Sequence, residues 1–313
     1  MSAWKVLLTD GLEENGKEIL RRSAEVVENS TITADELLTV VGDYDALIVR
    51  GRTKVTPAIL EAGKKLKVVG RAGVGVDNID LTAAREHKVT VVNSPVATTV
   101  AVAELTIGLM LSAVREIARA DATLKNGKWI KKELEGTELY GKTLGVVGFG
   151  RIGASVAQRA KAFEMKVLGY DPLIPADQII ARGGDPVSLD ELLAKSDFIT
   201  LHMPLTADTR GMLNDAAFAK MKKGVYVICA ARGGLIDEAA LLSALNSGKV
   251  AGAALDVYAT EPPGVTELIS HPKLIGTPHI GAQTVEAQTR AAHDIAEEVL
   301  AALDGKPLRW KVA

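Results

Sequence analysis

Leu144-Gly145-Val146-Val147-Gly148-Phe149-Gly150-Arg151-Ile152-Gly153 is the stretch from which the architecture can be read. An apolar strand, 144–147, leads in, and a helical pattern, 152–163, leads out. Between them Gly148, Gly150 and Gly153 fit the G-x-G-x-x-G spacing. In a chain with 29 glycines that spacing can arise by accident; the strand before it and the helix after it give it meaning. In that setting the first glycine permits a tight turn and the second lets a pyrophosphate approach the backbone. The third lets the helix pack close to its strand, with the helix N-terminal amides facing the phosphates. A second strand ends at Asp171, about 20 residues on, where an acid accepts the ribose hydroxyls. Its charge disfavours a 2′-phosphate, so the expected cofactor is NAD rather than NADP.

Outward from this stretch, short β-branched runs alternate with Ala- and Leu-rich helical patterns, as in a parallel sheet covered by helices. The second half of the chain predicts strands at 143–147, 166–170, 198–201, 225–229, 252–257 and 274–277. The first half predicts strands at 5–8, 44–50, 66–70 and 90–92, with helices at 15–23, 34–40, 57–62 and 81–86. Ser94-Pro95 breaks the pattern before a long apolar helix at 96–114. The mixed-charge stretch 125–138 reads as a solvated connection. A helix at 284–303, stopped by Asp304-Gly305-Lys306-Pro307, closes the chain.

Composition narrows the class. The chain has 313 residues, 47% apolar and 24% charged, which excludes a mainly disordered protein and suits two domains. Lys plus Arg number 37 against 39 Asp plus Glu, so charge offers no reason to expect a nucleic-acid partner. The single cysteine, Cys229, cannot close an intrachain disulfide, and a reducing, cytoplasmic setting follows as the expectation. Residues 1–10 read as a strand rather than a signal peptide. The 96–114 run carries Glu104 and ends at Arg115, so it reads as a buried helix and no membrane partner is expected.

Hydride transfer from a secondary alcohol to a nicotinamide needs a base for the hydroxyl proton, and the reverse needs an acid; histidine suits both. Of five histidines, His87, His271 and His293 read as surface or loop residues, and His202 ends a strand. His279 follows Thr277-Pro278 and precedes the turn Ile280-Gly281-Ala282, although a structural loop histidine would look the same. Glu261, before Pro262-Pro263, is the candidate carboxylate partner, against a plain surface glutamate. Arg232, in Ala230-Ala231-Arg232-Gly233-Gly234, is the candidate substrate arginine, against a plain loop arginine. All three follow strands of the cofactor domain, on the edge where such sheets bind ligands. No metal-ligand set is present in the pattern.

Longer segments carry a resemblance. They are Arg71-Ala72-Gly73-Val74-Gly75-Val76-Asp77-Asn78-Ile79-Asp80, the Gly148 stretch, Leu201-His202-Met203-Pro204-Leu205-Thr206 and Ala231-Arg232-Gly233-Gly234. Leu255-Asp256-Val257, Glu261-Pro262 and Thr277-Pro278-His279-Ile280-Gly281-Ala282 complete the set. With them the chain resembles the D-isomer-specific 2-hydroxyacid dehydrogenases over essentially its whole length. The resemblance implies an α/β protein of two Rossmann-like, doubly wound parallel-sheet domains with a cleft between them. Residues 1–95 with 284–313 would bind substrate, and 96–283 would bind NAD. It implies His279 as the acid/base, Glu261 as its partner and Arg232 as the substrate-binding residue, with backbone amides near Val74 and Gly75 on the substrate carboxylate. Arg151, Ile152, Asp171, Met203, Pro204, Ala230, Asp256, His279, Gly281 and Ala282 would contact the cofactor. The 96–114 helix would pack in the interface of a homodimer, or of a homotetramer built from it.

Arg50-Gly51-Arg52-Thr53-Lys54 puts several cations after a strand, which a solvated basic turn would also do. In the branch of the family acting on D-3-phosphoglycerate, the matching segment supplies an arginine for the substrate phosphate. Arg50 fits that position first and Arg52 second, with Lys131 or Lys132 of a partner subunit as a further cation. The expected reaction is therefore NAD-dependent oxidation of D-3-phosphoglycerate to 3-phosphohydroxypyruvate, at the entry to serine biosynthesis. Two rivals stand beside it: a glyoxylate or hydroxypyruvate reductase of the same family, and a non-enzymatic NAD-sensing interaction module. Two departures from the family pattern are Ala97-Thr98, where relatives carry Gly-Asn, and Cys229, where an asparagine is common; the cysteine reads as buried and inert. The chain runs about ten residues past its last helix, so regulatory C-terminal domains and inhibition by serine are not expected.

Overall fold

The computed structural model describes residues 4–313. The chain forms two compact units, one running through Thr98 and completed by Ala282–Ala313, the other spanning Thr99–Gly281.

The first unit contains β1 (Trp4–Leu8), β2 (Ala24–Glu28), β3 (Ala46–Val49), β4 (Val68–Arg71) and β5 (Thr90–Asn93), all parallel, in the order β2-β1-β3-β4-β5. Strands covered on both faces read as continuous apolar runs, and all four residues of β3 are buried. The helices Glu14–Arg21 and Val285–Leu303 pack together against one face, with Ile295, Ala296 and Val299 fully buried there. On the other face Leu37, Ile59, Leu60 and Ala84 form a second core layer. Thr284 starts the closing helix by accepting the Ala287 N–H at 3.1 Å. Beyond the helix the chain returns, and Lys311 bridges antiparallel to Val92, covering the outer edge of β5.

The second unit adds β6 (Thr143–Val147), β7 (Lys166–Tyr170), β8 (Asp185–Pro186), β9 (Phe198–Leu201), β10 (Val225–Cys229), β11 (Val250–Leu255) and β12 (Leu274–Gly276). The seven strands are parallel, in the order β12-β11-β10-β9-β6-β7-β8. The chain winds outward through β6, β7 and β8, then crosses back to β9 and winds the other way. β6 thus lies between β7 and β9, with Val147 in register with Tyr170 and Leu201. The long apolar helix, Thr99–Val114, packs on the sheet and on the helix Arg151–Ala162. It begins three residues later than the sequence pattern suggests.

Three elements departed from expectation. β2, Ala-Glu-Val-Val-Glu, has a single sheet neighbour and buries one residue, so its apolar signal is weak. β8 is two residues long. The helix Ile117–Lys125, to which the sequence pattern assigns no element, buries no side chain. Among the described residues no helix is long and apolar enough to cross a membrane.

In doubly wound sheets, ligands bind beyond the carboxyl ends of the strands where the winding reverses. Those points are β1/β3 in the first unit and β6/β9 in the second.

Candidate active site

The loop after β6 is shaped by what its glycines lack. Gly148 has φ +93°, a conformation that L side chains avoid, and a Cβ there would lie 2.7 Å from the backbone of His202. A Cβ on Gly153 would overlap the carbonyl oxygen of Gly148, so this glycine lets the helix Arg151–Ala162 seat against the turn. A Cβ on Gly150 would meet nothing within 4 Å. Gly150 is thus the open position, directly before the helix N-terminus with its free N–H groups and positive dipole end. This is the cradle a pyrophosphate requires, and the residues present fit NAD.

Asp171, just beyond β7, closes the loop from the side. Its Oδ2 accepts the Phe149 N–H at 2.8 Å, and its Oδ1 accepts the N–H groups of Leu173 and Ile174 at 2.9 and 3.2 Å. The carboxylate is therefore held in place beside the glycine turn. Met203, which is buried, and Pro204 follow β9, with the Pro204 carbonyl taken by the Thr209 hydroxyl at 2.7 Å. Arg151 is exposed at the helix start, with Ile152 half-buried behind it. Lys131 and Lys132 lie on an exposed turn.

Beyond β11 and β12 the structure brings His279 and Glu261 together, with Nδ1 of the histidine 2.7 Å from Oε2 of the glutamate. The carboxylate requires the proton on Nδ1, which leaves Nε2 as the nitrogen free to exchange a proton with a ligand. His279 adopts the left-handed conformation, φ +53°, rare for a non-glycine residue. Asp256, fully buried, holds it there. Its carbonyl accepts the His279 N–H at 2.9 Å, and its carboxylate accepts from the Thr277 hydroxyl at 2.6 Å and from the N–H groups of Ile280 and Gly281, each at 2.8 Å. Asp256 was expected as a cofactor contact; its most evident work is on the histidine turn.

Tyr258 was not anticipated at all. Its N–H donates to Oε1 of Glu261 at 3.1 Å, and its hydroxyl donates to the carbonyls of Leu255 and Thr277 at 3.0 and 3.2 Å. It thereby touches the glutamate and the residue two before the histidine. A Cβ on Gly233 would overlap the Tyr258 carbonyl, so the loop bearing Arg232 packs directly on this tyrosine. Aromatics are 4% of the chain, and a lone tyrosine between Asp256 and Glu261 was the available signal. Ala230 is buried, and Arg232 donates from Nη1 to the Ala231 carbonyl at 2.7 Å.

Two neighbours are set aside by their chemistry. The Cys229 thiol is buried and pushed up to about 11 by desolvation, which makes it unreactive. Burial lowers His202 to about 3, so its ring is neutral, with Nε2 3.0 Å from the Thr200 hydroxyl.

In the first unit Val74 and Gly75 follow β4. The Val74 carbonyl accepts from Asn93 at 2.6 Å, while the N–H groups of Val74 and Gly75 meet no acceptor among the described residues. Arg52 is engaged within its own unit, its guanidinium donating to the carbonyls of Ile32 and Thr9 and lying 3.2 Å from Asp10. Arg50 is half-buried, and its guanidinium makes no hydrogen bond or ion pair among the described residues. Ala282, assigned to this unit, has its carbonyl held by Gln288 at 2.6 Å.

Together the winding, the glycine cradle and the histidine–carboxylate pair define a dinucleotide-binding protein equipped for proton exchange. Residues 107–281 match the NAD binding domain of the D-isomer specific 2-hydroxyacid dehydrogenases. The chain belongs to that family. It is 50% identical, over 96% of its length, to a D-3-phosphoglycerate dehydrogenase of Methanocaldococcus jannaschii, of which it covers 58%. The chain spans about half the length of the curated relatives it matches. Among solved structures, it is similar to a glyoxylate reductase from Paecilomyes thermophila, with a TM-score of 0.91 and 33% identity, covering 100% of this chain and 99% of the other. It also resembles D-lactate dehydrogenase from Aquifex aeolicus complexed with NAD and lactic acid, with a TM-score of 0.83, 31% identity and 96% of each chain covered.

Proposed function

We propose that the chain oxidises D-3-phosphoglycerate to 3-phosphohydroxypyruvate with NAD. The observation that carries the chemistry is the 2.7 Å contact of His279 Nδ1 with Glu261; the relatives' names and Arg50 carry the substrate. The Gly148–Gly153 turn and Asp171 would hold NAD, which would supply the acceptor for the C2 hydride. In that direction Nε2 of His279 takes the proton of the C2 hydroxyl, and Glu261 supports the positive charge that develops on the ring. In the reverse direction the protonated ring returns it to the forming alkoxide. Arg232 holds the substrate carboxylate and polarises the reacting oxygen, with the N–H groups of Val74 and Gly75 as further donors. Arg50 takes the phosphate.

The test is NADH formation from D-3-phosphoglycerate followed at 340 nm, with the product trapped. His279→Gln should lower kcat by about a thousandfold, within the range for loss of a general base, while NADH still binds. A variant with kcat near that of the unmutated chain would overturn the assignment.

A second reading, a reductase of glyoxylate or hydroxypyruvate, is favoured by one observation. With Arg52 engaged at Asp10, Arg50 stands alone of the two arginines expected for phosphate. We also propose a homodimer, since Val100, Ile117, Leu124, Trp129 and Tyr140 leave apolar side chains exposed on the second unit, and a cytoplasmic setting.

A further inference from the structure

At the β1/β3 reversal point the turn Arg50-Gly51-Arg52-Thr53 is gripped by two side chains from distant parts of the sequence. Asp10, 4% exposed, follows β1. Its Oδ2 accepts the N–H groups of Arg50 and Thr53 at 2.7 and 3.0 Å, and its Oδ1 accepts the Thr53 hydroxyl at 2.5 Å. Asn78, beyond β4, donates from Nδ2 to the carbonyls of Arg50 and Thr53 at 3.0 and 2.6 Å. One side chain thus takes the donors at both ends of the turn, and the other feeds the acceptors at both ends.

A turn containing Gly51, whose Cβ would meet nothing, has little intrinsic reason to hold one shape. A buried carboxylate is also an unfavourable neighbour for an anion. Arg52 answers the second problem, placing its guanidinium 3.2 Å from Asp10 Oδ1, so that Asp10 holds the turn as a neutralised pair. Arg50 is left with its backbone fixed at N–H and carbonyl and its guanidinium uncommitted among the described residues.

We infer that Asp10 and Asn78 are positioning residues for Arg50, and that through it they set the preference for a phosphorylated substrate, with Arg52 neutralising Asp10. The inference rests on the proposed reading of Arg50 as the phosphate contact. A preformed arginine loses less freedom on binding than one on a mobile turn, and that difference appears as affinity. The preference of the unmutated chain for 3-phosphohydroxypyruvate over hydroxypyruvate should fall at least tenfold in Asn78→Ala and in Asp10→Asn.

The test compares kcat/KM for the two substrates in the unmutated chain, R50A, N78A, D10N and R50A/N78A, with melting temperature and NADH affinity as folding controls. Positioning predicts non-additivity: once Arg50 is gone, N78A lowers the substrate ratio by less than a further twofold. A purely structural role would depress both substrates equally and leave the ratio intact in N78A, which overturns the inference alone. A ratio near one in the unmutated chain, or an intact ratio in R50A, overturns the phosphate reading and the inference with it. Asp10 is buried against Arg52, so D10N can unfold; Asn78 lies on a half-buried loop, and N78A carries the test without it.

Discussion

Alanine at Gly150 and alanine at Gly153 should fail in opposite ways, although only two residues separate them. At Gly153 the added methyl overlaps a backbone carbonyl, that of Gly148, which cannot swing aside as a side-chain tip can. Either the helix Arg151–Ala162 must lift from its turn or the turn must open. Overpacking of this kind costs about 1–3 kcal/mol, more where backbone must move. For a unit of this size each kcal/mol lowers the melting temperature by about 2–4 °C, so G153A should melt roughly 2–12 °C lower. At Gly150, φ is −67° and a methyl meets open space. Alanine there should leave the melting temperature within about 2 °C. That open space is the approach to the helix N-terminus, however, and a methyl there displaces a pyrophosphate from its amides. Losing one or two charge-assisted hydrogen bonds, about 1.5–3 kcal/mol each, raises the NADH dissociation constant roughly 10- to 100-fold or more. Differential scanning fluorimetry and NADH fluorescence titration measure the two effects. If G150A binds NADH like the unmutated chain, or G153A melts unchanged, the roles assigned to the glycines are wrong.

Glu261→Gln keeps the shape beside His279 but removes the charge that steadies the imidazolium. A fall in kcat of about a hundredfold at near-unchanged NADH affinity is expected from stopped-flow and titration, and a fall below threefold would show the contact to be incidental. Cys229 should resist a disulfide reagent at pH 8 in the folded chain and react stoichiometrically in denaturant; rapid labelling of folded protein would contradict its burial. The folded thiol ionises near 11 and the unfolded one lower, so this residue's contribution is complete below the unfolded value and is lost as pH rises toward 11. Cys229→Ala should accordingly flatten the alkaline side of the stability curve, read by urea denaturation at several pH values. His202 has the opposite sign. Its folded value is depressed to about 3, so its contribution is present above about 6.5 and fades as pH falls toward 3. His202→Asn should be less acid-sensitive than the unmutated chain, and equal acid sensitivity would place the ring in water.

The strands and the cofactor loop were legible in the sequence because their causes are local. Gly148, Gly150 and Gly153 act within one turn, and β-branched runs buried on both faces announce themselves. β2 was missed because an edge strand with glutamates at two of its five positions carries little apolar signal. The helix Ile117–Lys125 was missed because nothing packs on it closely enough to demand an apolar face. The site divides along the same line. His279 and Glu261 could be proposed from their places after strands, but their contact joins residues 18 apart and depends on a left-handed residue held by Asp256. The commitment of Arg52 to Asp10, Thr9 and Ile32 spans 20–43 residues of sequence, which no local pattern encodes. Tyr258 shows the same limit in part: its bonds to Leu255 and Glu261 are three residues away, but the one to the Thr277 carbonyl, 19 residues on, exists only once β11 and β12 lie side by side.

Oxidation of NADH by 3-phosphohydroxypyruvate and by hydroxypyruvate, compared as kcat/KM on the same preparation, tests the central claim most directly. A preference of about a hundredfold for the phosphorylated substrate, worth roughly 3 kcal/mol in the transition state, is the result expected. Equal values, or a preference for hydroxypyruvate, would contradict the phosphate contact and leave a reductase of the same family in its place.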